Sequence, residues 1–196
     1  MQKSIAFFDF DGTITTKDTM LEFVRFCKGT FSYYAGMVAI SPWLLSMKFG
    51  LVSKAKAKEK LLSHFFAGTP IVVFNNNCQS FSEQVLPRLI KKNALDTITK
   101  LQAENTPVII VSASAENWVK FWCLQNDVQL IATRLVTKDD KITGELDGKN
   151  CNGKEKVNRI KELFDPADYE IIYCYGDTSG DKMMLQLATE PYYRAF

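Results

Sequence analysis

Acidic and hydroxyl side chains recur in this sequence where short apolar runs stop. Asp9-Phe-Asp11-Gly-Thr13 follows the run 5–8, Ser112 and Ser114 follow 108–111, and Gly176, Asp177 and Asp181 come after 171–175. On an extended chain, two carboxylates two residues apart project to the same side, so one can attack while the other manages a proton. Carboxylates are established nucleophiles toward phosphorus and pass through an aspartyl-phosphate. Asp9 suits that role. Asp11 suits a general acid that later serves as base, provided burial or neighbouring charge raises its pKa. Carboxylates beside a phosphate dianion repel it unless a cation intervenes, and magnesium favours one or two carboxylates with waters and phosphate oxygens. Asp177 is the natural further ligand, with Asp181 orienting the metal shell from behind. The remaining phosphate oxygens need donors to hold charge in the transition state. Ser112 can supply one, and a lysine after Gly153, either Lys154 or Lys156, another.

Singly, these features are weak. A DxD at a strand end is often a loop cap, serine after a strand commonly caps a helix, and GDxxxD resembles ordinary helix N-capping. Helix capping, however, does not require them all to follow separate strands of one chain.

The elements that must position them can be read from the runs. Apolar stretches without alternation are what strands of a parallel sheet look like when helices cover both faces. Helical patterns at 95–103, 115–126 and 156–164 alternate with them, and 128–136 reads as a further strand before a turn at 139–141. Such sheets bind ligands just beyond the carboxyl ends of their strands. The expected fold is α/β, a Rossmann-like, doubly wound, mainly parallel sheet built from residues 1–16 and 88–196. About five strands are expected, because EPYYRAF leaves little chain for another. Residues 17–87 interrupt the rhythm as a helical cap, which Gly29, Pro42, Gly50, Gly68 and Pro70 divide into several short helices.

With 46% hydrophobic and 23% charged residues, the chain has the balance of a soluble globular protein. A net charge of +2 does not mark a nucleic-acid binder. The five cysteines are odd in number, widely spaced and include no CxxC pair, which indicates neither a disulfide framework nor a zinc site and fits a reducing, cytoplasmic location. The acidic motif arrives too early for a signal peptide.

The ordered set DxDGT at Asp9 to Thr13, Ser112, the lysine and GDxxxD at Gly176 to Asp181 resembles the haloacid dehalogenase superfamily, over almost the whole chain. A helical insertion after the first motif is similar to the C1-type cap of the branch that includes phosphoserine phosphatase, and GTITTKDTMLEF, VSASAENWV and CNGKEKVNRI look like its subfamily IB hydrolases. The resemblance implies Asp9 as nucleophile and metal ligand, Asp11 as acid/base and metal ligand through its carbonyl, and Asp177 as metal ligand. It implies Ser112 and Lys156 on phosphate, with Lys154 the second choice, and Gly12 and Thr13 in the loop around it. Asp181 would support a magnesium ion. Phosphoserine phosphatases resemble DxDST with a glutamate nine residues after the nucleophile, where this chain has Gly12 and Asp18, and their last motif often has asparagine where this one has Gly180. Phosphoserine is therefore not the favoured substrate.

The expected activity is hydrolysis of a small or amphiphilic phosphate monoester. Two classes compete: a phosphoryl-accepting signalling domain, which does not need the cap or Asp11, and dehalogenation, which has no use for Asp11 or magnesium. The stretch 31–52 has Lys48 as its one charged residue. It is expected to form a hydrophobic cap core, with peripheral membrane contact as the alternative, since Pro42 and Lys48 argue against a span. Related enzymes acting on phosphatidylglycerophosphate carry apolar caps, which makes a lipid phosphate a candidate substrate. Glu22, Arg25, Trp43 and Lys48 are candidates to face the site, and His64 is read as packing or exposed.

Overall fold

The structure is a computed structural model and describes residues 3–196; the first two residues of the expected core segment lie outside the described residues. In β1 (Ser4–Phe8), Ile5 and Phe7 enter one buried cluster while Ala6 and Phe8 enter another. A strand apolar on both faces needs cover on both. β1 lies in the middle of a six-stranded sheet of order β4-β3-β2-β1-β5-β6. Its partners are β2 (Val108–Ala115) and β5 (Ile171–Gly176), both parallel. Beyond β2 comes β3 (Gln129–Lys138), also parallel, then β4 (Lys141–Asp147), antiparallel across a turn in which Asp139 and Asp140 both take positive φ. The sixth strand, β6 (Glu190–Tyr193), exceeds the expected five. The stretch counted too short for a strand pairs parallel with β5, and Tyr192 stacks on Tyr175 with centroids 4.6 Å apart.

Four helices separate β1 from α5 (Lys92–Ala103): α1 (Thr19–Lys48), α2 (Lys54–Phe66), α3 (Ile71–Gln84) and the single turn α4 (Leu86–Leu89). Phe23 of α1 meets Phe66, Phe74 and Phe81 of the insertion and Trp118 of α6 (Glu116–Gln125), with ring centroids 5.1–5.4 Å apart. At about 0.5–1.5 kcal/mol per aromatic pair, this cluster fastens the inserted helices to the sheet's cover. The loop before α3 also docks on the β3–β4 hairpin, where Gly68 donates its N–H to Ile142 and Ile71 donates to Asp140.

Pro42 does not end a helix as expected. It lies inside α1, where proline removes one backbone donor, and the carbonyl of Val38 left without that partner accepts instead from Ser41 Oγ at 2.7 Å. Gly29 (φ 75°, ψ 164°) is the residue that breaks the helical path. Gly50 and Gly68, also at positive φ, stand at the ends of the helices as expected. α7 (Lys154–Leu163) and the short α8 (Lys182–Leu185) complete the cover of the other sheet face, through Ile160 and Met184.

Candidate active site

The register brings three expected motifs to one edge of the sheet. Phe8 pairs with both Ile110 and Tyr175, and the Asp9 N–H donates to the Tyr175 carbonyl at 2.9 Å. After β1 the backbone tightens into a single π-type turn, Phe10–Ile14, with Gly12 at φ 85°. That turn needs glycine twice over. A left-handed φ strains any residue with a Cβ, and a Cβ at Gly12 would stand 2.5 Å from Asp177 Oδ2.

Asp9 is buried. Its Oδ1 accepts from Lys156 Nζ at 2.5 Å, and Thr13 Oγ1 lies 3.2 Å from its Oδ2 and 3.1 Å from Asp177 Oδ1. Lys156, also buried, reaches Asp181 Oδ1 at 2.8 Å. Burial pushes the Asp9 carboxyl up to about 7 against the pull of Lys156, and the nearby carboxylates Asp181 and Asp11 push the same way. For Lys156 burial acts to lower the pKa, but the charges of Asp9 and Asp181 outweigh it and hold the ammonium protonated. Burial would raise Asp181 too. Lys156 and the donors of Thr178 bring it below the usual carboxylate range instead. Asp177, half-buried, is raised by desolvation.

Asp9, Asp177 and Asp181 can bring one carboxylate oxygen each within 4.8 Å of one another. Three acids opposed by one lysine leave excess negative charge, which a hard divalent cation with oxygen ligands satisfies. The donor set therefore fits magnesium. Asp181 has both oxygens already engaged, by Lys156 and by Thr178, and is placed to orient the cluster rather than to lead it.

The Asp11 side chain points elsewhere. Its Oδ1 accepts the Thr19 N–H at 2.6 Å and its Oδ2 accepts from Ser114 Oγ at 2.5 Å. Ser112 is fully buried and its Oγ accepts the Ser114 N–H at 3.0 Å. Of the two candidate lysines, Lys154 is exposed and faces an outer cleft, while Lys156 touches Asp9.

Above these groups lies a cavity of about 470 Å³. Asp9, Asp11, Asp181 and Thr178 contribute to its polar end, while Met20, Leu21, Met37, Leu44, Met47 and Leu61 of the inserted helices supply an apolar wall. None of Glu22, Arg25, Trp43 and Lys48 lines it, contrary to expectation. Glu22 is paired with Lys17, and Trp43 lies under Lys60. From the insertion Asp18, Lys54 and Lys58 line it instead, and Lys58 Nζ donates to the Ala113 carbonyl at 2.7 Å and to Asn150 Oδ1 at 2.9 Å. Burial lowers the Lys58 pKa, and the charges of Asp11 and Asp18 pull it back up. In the sequence Lys58 stands in the basic run 54–60. The alternation of apolar Ala57 and Leu61 around it was the one available sign that this lysine turns inward. Lys91 was also missed; its Nζ donates to the Gly12 carbonyl at 2.5 Å and steadies the turn from below. His64 is exposed, edge-on to Phe65. All five cysteines are free, and burial raises their thiol pKa values.

Among known proteins, the family described as haloacid dehalogenase-like hydrolase matches residues 6–186. Protein CicA of Caulobacter vibrioides is 36% identical over 192 residues, covering 96% of this chain and 85% of its own length. A probable phosphatase of Mycobacterium tuberculosis is 26% identical over 190 residues, covering 94% of this chain and 66% of its own length. In fold, the chain is similar to a Bordetella pertussis protein of unknown function, with TM-score 0.84 at 20% identity over 96% of this chain and 88% of that one. A substrate-bound phosphoserine phosphatase follows at TM-score 0.69 and 20% identity, over 96% and 84%. The chain belongs to the haloacid dehalogenase-like hydrolase family, as an enzyme of phosphatase type.

Proposed function

We propose that this protein is a magnesium-dependent phosphomonoesterase that works through an aspartyl-phosphate at Asp9, on a small or amphiphilic phosphate monoester, with the helices of residues 17–87 as its cap. The observation that carries this reading is the buried Lys156 ammonium shared by Asp9 and Asp181, with Asp177 alongside, at the floor of a capped cavity.

Asp9 attacks phosphorus, and the bond from phosphorus to the leaving oxygen breaks. Asp11, held by Thr19 and Ser114 so that its carboxyl stays at the cavity wall, gives its proton to the leaving alkoxide. Water then attacks the aspartyl-phosphate, Asp11 takes the proton from that water, and free phosphate leaves with Asp9 restored. Lys156 keeps Asp9 oriented and offsets negative charge. Ser112 and the loop of Gly12 and Thr13 bound the phosphate, with Thr13 linking Asp9 to Asp177. Asp9, Asp177 and the Asp11 carbonyl are the groups to hold magnesium, which when bound neutralises phosphate charge and lowers the repulsion between dianion and carboxylates.

The acid at Asp11 and the cavity under the inserted helices favour turnover over a signalling domain that merely accepts a phosphoryl group. The six apolar side chains of the cap wall favour a leaving group with hydrocarbon over a small polar one. Purified protein with p-nitrophenyl phosphate and magnesium is expected to release phosphate, and Asp9→Asn to abolish release. Full activity in Asp9→Asn would end the mechanism, and a panel in which phosphoserine outruns every amphiphilic monoester would end the substrate reading.

A further inference from the structure

From Phe31 to Met47 α1 carries no charged side chain, and large apolar residues stand on opposite sides of it. One side packs inward through Gly36 and Ile40, and Met37, Leu44 and Met47 line the cavity. The other side carries Phe31, Tyr34, Val38 and Leu45, spaced three, four and seven residues apart as one helical stripe. That stripe faces outward, and the loop after it adds Phe49 and Leu51; Phe31, Phe49 and Leu51 are 87%, 76% and 80% exposed. A helix that is apolar on opposite sides belongs in a core or in lipid. Here the protein covers one side alone. The expected hydrophobic cap core is thus half of what the stretch builds. Among the described residues no helix is long and apolar enough to cross a membrane, so a span does not account for the other half.

The charges around this face choose its cover. Between Phe26 and Leu62 the chain carries six lysines and a single acid, Glu59. Lys58 and Glu59 turn inward, the latter accepting the Leu146 N–H. Of the rest, Lys56 is exposed on α2 and the other four lie beside apolar side chains of α1 or the loop after it. Lys28 shares a cleft with Phe31, Lys48 and Lys54 share one with Leu45 and Val52, and Lys60 lies over the exposed Trp43 ring at 5.5 Å. That stretch holds a charge of +5 in a chain whose total is +2, so the remainder is net negative and the molecule is polarised toward its cap. Aromatic and aliphatic side chains beside lysines fit the boundary of an anionic bilayer.

We infer that the outer face of α1 and the loop to Leu51 dock on an anionic lipid surface, with Phe31, Phe49 and Leu51 entering the acyl boundary and Lys48, Lys54, Lys56 and Lys60 meeting lipid headgroups. The docking needs no turnover and is independent of the phosphatase reading. It also places the lipid beside the active-site mouth, because Leu44, Met47 and Lys54 line both the cavity and the outer cleft.

Flotation of the purified chain with vesicles of phosphatidylcholine alone, and of phosphatidylcholine with roughly one third phosphatidylglycerol, tests this. The wild type floats with the anionic vesicles and stays behind with the neutral ones, and high salt weakens the binding. Phe31→Ser/Phe49→Ser/Leu51→Ser lowers partitioning at least roughly tenfold, and Lys48→Ser/Lys56→Ser lowers it about fivefold per lysine. Both variants keep the far-ultraviolet circular dichroism spectrum and the cooperative melt of the wild type, which report that they fold. The proposal is overturned if the wild type ignores anionic vesicles, if the triple variant floats equally well, or if the wild type is a dimer that the triple variant converts to monomer without lipid binding. The last outcome would assign the face to a second copy of the chain.

Discussion

Lys156→Met removes the ammonium shared by Asp9 and Asp181 while keeping a side chain of similar length in the same buried space. The cost follows from what is left. Lys156 and Asp181 are each about 1% exposed and Asp9 6%, so two carboxylates would remain buried with no cation between them. Removing one partner from a buried ion pair costs about 3–5 kcal/mol, and for a chain of this size each 1 kcal/mol moves the thermal midpoint by about 2–4 °C. A fall of roughly 6–20 °C at pH 8 without metal is expected. The sign with pH is fixed. The raised pKa of Lys156 keeps its contribution complete at every pH below its unfolded value of about 10.4, so the wild type retains it at both pH 5 and pH 8. The depressed pKa of Asp181 supplies stability above its unfolded value of about 3.9; the larger part of that share rests on Lys156 and is lost with it, while the donors of Thr178 keep the rest. In the variant both acids gain protons on acidification, so the deficit at pH 5 shrinks to less than half of that at pH 8. Melting curves by circular dichroism at the two pH values measure this. A drop of under about 2 °C at pH 8, or the same drop at both, would refute the coupling of these three groups. Turnover of p-nitrophenyl phosphate should fall by about 10²–10³ as well.

Magnesium binding should be tied to proton release from Asp9. With its pKa raised to about 7 in the metal-free protein, affinity measured by calorimetry should be flat above that pH and drop about tenfold per unit below it; an affinity constant from pH 5.5 to 8.5 would refute it. Gly12→Ala forces a Cβ toward Asp177 at φ 85°. It should lose at least about 1–2 kcal/mol of stability and weaken magnesium binding more than the stability loss predicts, which parallel melts and titrations separate.

The site's floor was legible because its constraints are local. Asp9, Asp11, Asp177 and Asp181 stand directly after strands whose apolar runs cannot be solvated, and a parallel sheet gathers such ends at one edge whatever the intervening chain does. Lys156 needed more. The residues alone left Lys154 open beside it, the family resemblance put Lys156 first, and the helical turn that exposes one and buries the other depends on α7 lying against the sheet through Ile160. β6 was missed because its four residues are all exposed and carry no inward pattern; pairing with β5 and the Tyr175–Tyr192 stack, not burial, make it a strand.

The inserted helices were read least well, for one physical reason. Its apolar residues outnumber what a small bundle can bury, and periodicity alone cannot say which of two apolar sides meets protein. Phe23 went inward because four aromatic rings from three helices receive it. Phe31, two helical turns later and beyond the break at Gly29, has no such receptor, and neither do Phe49 or Leu51. The break matters mechanically: it separates the part of α1 that holds Asp11 through the Thr19 N–H from the part that carries the exposed stripe.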